Sequence, residues 1–244
     1  MTRALVVWPT PAPRLLVYTS AVVAGVAVLA WHAGAHHATP MARDGPPLTT
    51  LGVAVMWWTL MVIAMMFPLV ADDAVRVCEA GLRSRRLPSL VAFLAGYLAV
   101  WVVIGALGIS AASVLWPHGA PTAAVLAILL AAAAWQLTPV RRQTLTRCGG
   151  RPFVAVTGWR ALGDCARHGL VSGRRCVITC GVAMLTMVLI HSLIVMVVVS
   201  AVLYTERRVG PNPDRRHNGV ESFALVLLAG LVGWWSLRNV GPLP

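Results

Sequence analysis

Residues 90–115 read LVAFLAGYLAVWVVIGALGISAASVL, a run of 26 residues without a single charged side chain. A helix of about 20 apolar residues crosses the roughly 30 Å hydrocarbon core of a bilayer, so this run is long enough to span it. Its apolar residues are continuous rather than alternating, and Ala, Leu and Gly are frequent, which argues against a strand of a β-barrel. The run therefore predicts a transmembrane α-helix and an all-α helical bundle.

The composition of the whole chain indicates the same class. Hydrophobic residues make up 58% of the 244 residues and charged residues 11%, with a mean hydropathy of +0.76, whereas soluble domains are about one quarter charged. We predict one integral membrane domain over residues 1–244. Its six spans are expected near 15–31, 51–70, 90–115, 120–137, 177–204 and 220–237.

The arginines predict how these spans are oriented. Fifteen of the 20 basic residues fall on one side of the predicted membrane, including eight in the long connection 138–175. The positive-inside rule then places both termini and this connection in the cytoplasm. Its apolar positions from Val156 to Leu170 predict an amphipathic helix on the cytoplasmic leaflet. Because no basic platform with interleaved aromatic residues is present, the lipid bilayer, and not nucleic acid, is the expected partner of this charge.

Five side chains suited to a soft metal share one predicted helix face. They are Cys176, Cys180, Met184, Met187 and His191. Steps of 4, 4, 3 and 4 residues keep them within roughly 80° of one another around the helix. Thiolate, thioether and imidazole suit monovalent copper better than magnesium or calcium, so this stripe predicts a copper site or a copper path. The alternative is packing alone, because Cys and Met are also ordinary residues of helix interfaces.

A second set of methionines lies in the predicted span 51–70. Met61 and Met65 share a helix face at a spacing of four residues. Methionine often fills gaps between helices. A metal role for these two therefore depends on their lying opposite the Cys and Met stripe of the later span.

Histidines after the first span are candidates for an outer metal site. His32 and His36 are four residues apart, and His37 follows directly. If the helix continues, the imidazoles of His32 and His36 could reach one ion on the outer side. Solvated histidines in a loop are the alternative interpretation.

Further thiols and a histidine form a candidate inner site. Cys148, Cys165 and His168 lie in the predicted cytoplasmic connection, and Cys165 and His168 would be neighbours on its predicted helix, three residues apart. If these two joined Cys176 and Cys180, the set would suit tetrahedral zinc, which makes zinc the main alternative to copper.

Several short motifs occur in order between about Met56 and Gly230. They are MVIAMMFP at 61–68, WQLTPVRR at 135–142, Cys148, RHG at 167–169, Cys176 with Cys180, and ERRVGP at 206–211. This set resembles the motifs of a bacterial family of predicted metal-binding integral membrane proteins, a six-span domain of unknown function. The resemblance implies a six-span bundle with a metal-related role in the bacterial cytoplasmic membrane.

The chain departs from that family pattern at the thiols. The family's motif is a tighter Cys-x-x-Cys-Cys block soon after the His-Gly pair, whereas here Ser172 to Arg175 are additional residues before Cys176. A Met-Asn pair of the family corresponds to His191-Ser192. One thiol is therefore lost and one imidazole gained, as in a divergent member.

Two functions from different classes are compatible with these features. The first is a copper-handling membrane protein that binds, delivers or relays the metal. The second is a noncatalytic accessory subunit or assembly factor of a larger complex, such as a copper-dependent membrane oxidase or monooxygenase, with other membrane subunits as partners. No nucleophile elbow, phosphate-binding loop or paired intramembrane carboxylates occur in the sequence, so we do not expect an enzyme.

Overall fold

Seven α-helices follow one another over residues 13–209 of the computed structural model. They are α1 (Pro13–Ala35), α2 (Pro47–Ala80), α3 (Arg86–Leu115), α4 (Thr122–Gln136), α5 (Pro139–Arg147), α6 (Gly158–Leu189) and α7 (Leu193–Val209). The structure describes residues 13–35, 47–80, 85–117, 120–147, 158–189, 193–209, 224–228, 230–231 and 235. These residues contain helices and no strand, so the predicted all-α helical bundle is confirmed.

Four helices in the described part of the chain are long and apolar enough to cross a membrane. They are α1, α2, α3 and α6, while α4 is a shorter apolar helix. The first three coincide with predicted spans 15–31, 51–70 and 90–115. Most of the predicted span 220–237 lies outside the described residues. The count of six spans therefore stays a prediction.

The region from 138 to 209 differs from the expected arrangement. The connection 138–175 contains α5 and the first half of α6, and α6 continues without a break to Leu189. The predicted span 177–204 is divided between α6 and α7. The predicted amphipathic segment and the start of the predicted span 177–204 form one helix, because the buried residues of both segments lie on the same helix face. Buried positions follow one another at helical steps along α6: Ala161, Cys165, Gly169, Gly173, Cys176, Cys180, Met184 and Met187.

Glycines bring α3 and α6 together as a parallel pair. A Cβ atom at Gly96 would overlap the carbonyl of Ala166, and one at Gly169 would overlap the carbonyl of Phe93. A Cβ atom at Gly173 would come within 3.0 Å of the carbonyl oxygen of Tyr97. Small residues allow this close approach, which dispersion and backbone contacts then stabilise in an apolar environment.

The helices α1, α2 and α3 pack as antiparallel neighbours. Arg14, at the start of α1, forms an ion pair of 3.2 Å with Asp72 near the end of α2. Along the α2–α3 contact, the indole Nε1 of Trp58 donates to the carbonyl of Trp101 at 2.8 Å. We call the end of the bundle that holds Arg14, Arg76 and Arg85 the basic end. It contains the starts of α1, α3 and α6 and the end of α2.

Candidate metal centre

The sulfur stripe of α6 faces the interior of the bundle. Cys176, Cys180, Met184 and Met187 are all buried and belong to one apolar core cluster. Their shared face follows from the 3.6-residue repeat of the helix, as the sequence predicted. The bundle thus places two thiols and two thioethers in a row, shielded from the surroundings.

The methionines of α2 lie in the same core. Met61, Met65 and Met66 are buried there, and Met66 makes the sulfur contact: its Sδ is 4.0 Å from the Sγ of Cys176. Two sulfurs that bind one ion at about 2.3 Å with a tetrahedral angle lie about 3.8 Å apart. The two helices therefore present a thiol and a thioether at a separation that one soft ion can bridge.

Met66 was not among the predicted site residues. Met61 and Met65 were selected because they share a face, and Met66 is rotated about 100° from Met65 around the helix. The only indication of Met66 in the sequence was its position directly after Met65. Which of the two faced α6 depended on the position of α2 against α3.

A hydroxyl group lies beside each of the two thiols. The phenol of Tyr97, on α3, donates to the Sγ of Cys176 at 3.2 Å, and both residues are buried. The hydroxyl of Thr179 lies 3.4 Å from the Sγ of Cys180. A donor aimed at a thiolate stabilises its negative charge, as groups around bound metals commonly do. No sequence pattern singles out Tyr97, because its role depends on the α3–α6 contact.

The motif at 135–142 folds against the same turn of α6. The indole of Trp135 donates to the carbonyl of Ile178 at 2.7 Å, and the Nε of Arg141 donates to the carbonyl of Thr179 at 3.0 Å. Pro139 starts α5 directly after α4, since proline fits the first helical turn but cannot continue the helix before it. This turn brings the guanidinium of Arg141, which is fully buried, beside the residue that precedes Cys180.

The buried guanidinium of Arg141 can balance the negative charge of a metal complex with two thiolates. Two thiolates and one monovalent ion carry a net charge of −1, which is costly to bury without a partner. Arg141 supplies one positive charge next to the α6 turn that carries both cysteines. The surroundings of the thiols are thus suited to a dithiolate complex of a monovalent cation.

Two residues of the candidate inner site, Cys165 and His168, are among the described residues. Cys165 is buried, and the ring of His168 stacks near Phe93 with centroids 5.8 Å apart. Among the described residues, no three His, Cys, Asp or Glu side chains come together around a metal-sized space. The four-ligand zinc arrangement is therefore absent there. Cys165 and Cys176 are about 16 Å apart along α6, since each residue adds 1.5 Å.

The remaining predicted ligands lie outside what the structure describes. His36, His37, Cys148 and His191 fall in that group, as does the side chain of His32. The outer histidine site and the last position of the stripe stay predictions.

A comparison with models of protein families finds one match that covers most of the chain. Residues 55–232 match the family model PpoB2, described as copper chaperone. The matched region contains all of the described sulfur residues of the bundle core and excludes the candidate histidines of the first loop. Neither the curated proteins nor the solved structures yield a match.

Proposed function

The chain belongs to the PpoB2 copper chaperone family, and from this premise we propose that it holds Cu(I) inside its helical bundle between α2 and α6. The ligands of the proposed site are Cys176, Cys180 and Met66. Copper is the cargo of this site, which receives the ion and releases it. A chaperone hands its metal over without transforming a substrate, so the proposed role is noncatalytic.

The observation that carries the proposal is the sulfur pair between two helices. Cys176 and Met66 are 110 positions apart in the chain, yet their sulfurs lie 4.0 Å apart in the core. Thiolate and thioether together select soft, monovalent copper over hard cations. Zinc, the alternative, prefers four N, S or O ligands in a tetrahedron, and a methionine-containing set with one thioether is a poorer fit to it.

The buried methionines beyond the thiols support a path for the ion. Met184 and Met187 continue the stripe toward the end of the bundle opposite the basic end. Met61 lies on α2 in the same core cluster. We propose that copper enters from that outer end, passes these thioethers and reaches the thiols. This direction agrees with the proposed inner-membrane topology, in which the basic end and both termini are cytoplasmic.

Anaerobic loading of the purified protein with Cu(I) tests the site. The double variant Cys176→Ser, Cys180→Ser should hold one copper ion fewer per chain than the wild type. Met66→Leu should lower the Cu(I) affinity at least about tenfold, because loss of a ligand exceeds the usual effect of an outer-shell change. Met56→Leu is the matched control, since Met56 is on the same helix and is exposed.

Helix content and elution volume of each variant show whether it is folded. Equal copper content in the folded double variant and the wild type would contradict the proposal. Equal affinities of the two methionine variants would remove Met66 from the site. Parallel loading with zinc distinguishes the two metals, because a zinc site should bind zinc more tightly than it binds copper under the same competition.

The second candidate, an accessory subunit or assembly factor of a copper-dependent membrane oxidase or monooxygenase, is favoured by the basic end. Trp159 there is 88% exposed, and with Leu162, Arg85 and Pro88 it lines a pocket of about 270 Å³. A chaperone must contact the protein that receives its metal, and this surface could serve that contact. Native mass measurement after mild detergent extraction separates the two candidates. A stable complex with an enzyme supports the subunit role, and a lone copper-loaded chain supports transient delivery.

A further inference from the structure

Two more buried cysteines lie outside the site between α2 and α6. Cys78 is near the end of α2 and Cys165 is in the first half of α6, with 1% and 0% of their surfaces exposed. Both are at the basic end, where copper must leave if it is delivered to the cytoplasmic side. Neither takes part in the contacts around Cys176.

The two thiols meet the same turn of α3. Cys78 donates to the carbonyl of Arg86 at 3.5 Å. Cys165 lies one turn before Gly169, which packs against Phe93, and this register places Cys165 beside Ser89, one turn before Phe93. Arg86 and Ser89 are three residues apart and so lie on one side of the helix. Two helices thus bring one thiol each to the first turn of α3.

A positive charge and an opening are present at this point. Arg86, whose carbonyl accepts from the thiol of Cys78, also contributes a guanidinium group to this turn. The pocket of about 270 Å³ is lined by Pro88, which adjoins Ser89, and by Leu162, one turn before Cys165. This pocket therefore opens to the surface beside the α3 turn that the thiols contact and next to the exposed Trp159.

We propose that Cys78 and Cys165 form a second, two-coordinate Cu(I) site from which copper is transferred to an acceptor. Each thiol loses its proton as its sulfur binds the ion, and the two protons leave to solvent. The complex carries a charge of −1, which the guanidinium of Arg86 balances. Two thiolates without a third ligand suit monovalent copper and leave room for an incoming acceptor ligand. The choice of ion rests on the proposed function, whereas the choice of residues does not.

Copper stoichiometry of the full-length protein tests this site, with Cu(I) as the only added metal under anaerobic, reducing conditions. The variant Cys78→Ser, Cys165→Ser should bind one ion fewer per chain than the wild type. Glu79→Gln is the matched control, because Glu79 adjoins Cys78 but is exposed. It should keep the copper content of the wild type. An unchanged copper content in Cys78→Ser, Cys165→Ser would overturn the proposal.

A second measurement leaves both proposed ligands in place. The variant Cys176→Ser, Cys180→Ser should still hold one Cu(I), and X-ray absorption should show two sulfur ligands and no third neighbour. Absence of copper from this folded variant would contradict the second site even if Cys78→Ser, Cys165→Ser does not fold. If instead the Cys176→Ser, Cys180→Ser variant keeps all the copper of the wild type, the proposed site at Cys176 is refuted. The second site is then judged by the Cys78→Ser, Cys165→Ser variant.

Discussion

Tyr97→Phe tests whether the phenol of α3 stabilises bound copper. The substitution removes the hydroxyl that donates to the Sγ of Cys176 at 3.2 Å and leaves the buried ring in place. A hydrogen bond to a charged partner contributes about 1.5–3 kcal/mol. At 1.36 kcal/mol per factor of ten, this corresponds to a loss of roughly 10- to 150-fold in affinity. Outer-shell changes at metal sites typically cost about 10- to 100-fold.

The effect should be specific to the copper-bound form. In the metal-free protein the Sγ of Cys176 also donates toward the Sδ of Met66, and sulfur is a weak hydrogen-bond acceptor. The substitution should therefore change the free energy of unfolding of the metal-free protein by about 1 kcal/mol or less. Competition with a chromophoric Cu(I) chelator such as bicinchoninate measures the affinity, in a Cys78→Ser background that removes the other thiol pair. Tyr18→Phe, on α1, is the matched control. An affinity within twofold of the parent protein would refute a role for the phenol in holding copper.

Two further predictions concern packing and topology. Gly169→Ala should destabilise the bundle by about 1–3 kcal/mol in thermal unfolding, because its methyl group would overlap the backbone of Phe93. Gly163→Ala, on the same helix with open space around it, should not destabilise the bundle. Equal unfolding temperatures for the two variants would contradict the close contact of Gly169 with α3. A single cysteine placed at residue 40 should react with an impermeant thiol reagent from outside the cell, and one placed at residue 150 should not. Labelling of residue 40 only from the cytoplasm would reverse the proposed orientation and the direction of the copper path.

The distribution of sulfur along α6 was readable without a structure because it depends only on helix geometry. A spacing of four and three residues places Cys176, Cys180, Met184 and Met187 on one face whatever the helix packs against. Their burial was a reasonable expectation in a chain that is 58% hydrophobic. The length of α6 was not foreseen, because its charged first half was interpreted as a separate surface helix. Hydropathy shows how apolar each segment is. Whether two segments join into one helix depends instead on whether their buried residues continue along the same helix face.

By itself, the sequence determined the class of the fold, the apolar helices long enough for a membrane, and the residues of the α6 stripe. These features are local, since they follow from hydrophobic length and from 3.6 residues per turn. Only the tertiary structure decided that Met66 meets Cys176, that Tyr97 donates to that thiol, and that Cys78 and Cys165 converge on one turn of α3. Met66 and Tyr97 lie 110 and 79 positions from Cys176, and Cys165 lies on a helix far along the chain from Cys78. The positions of Tyr97 and Cys165 depend on the close α3–α6 approach at Gly96 and Gly169, and that of Met66 depends on how α2 packs against α6. No single helix encodes either arrangement.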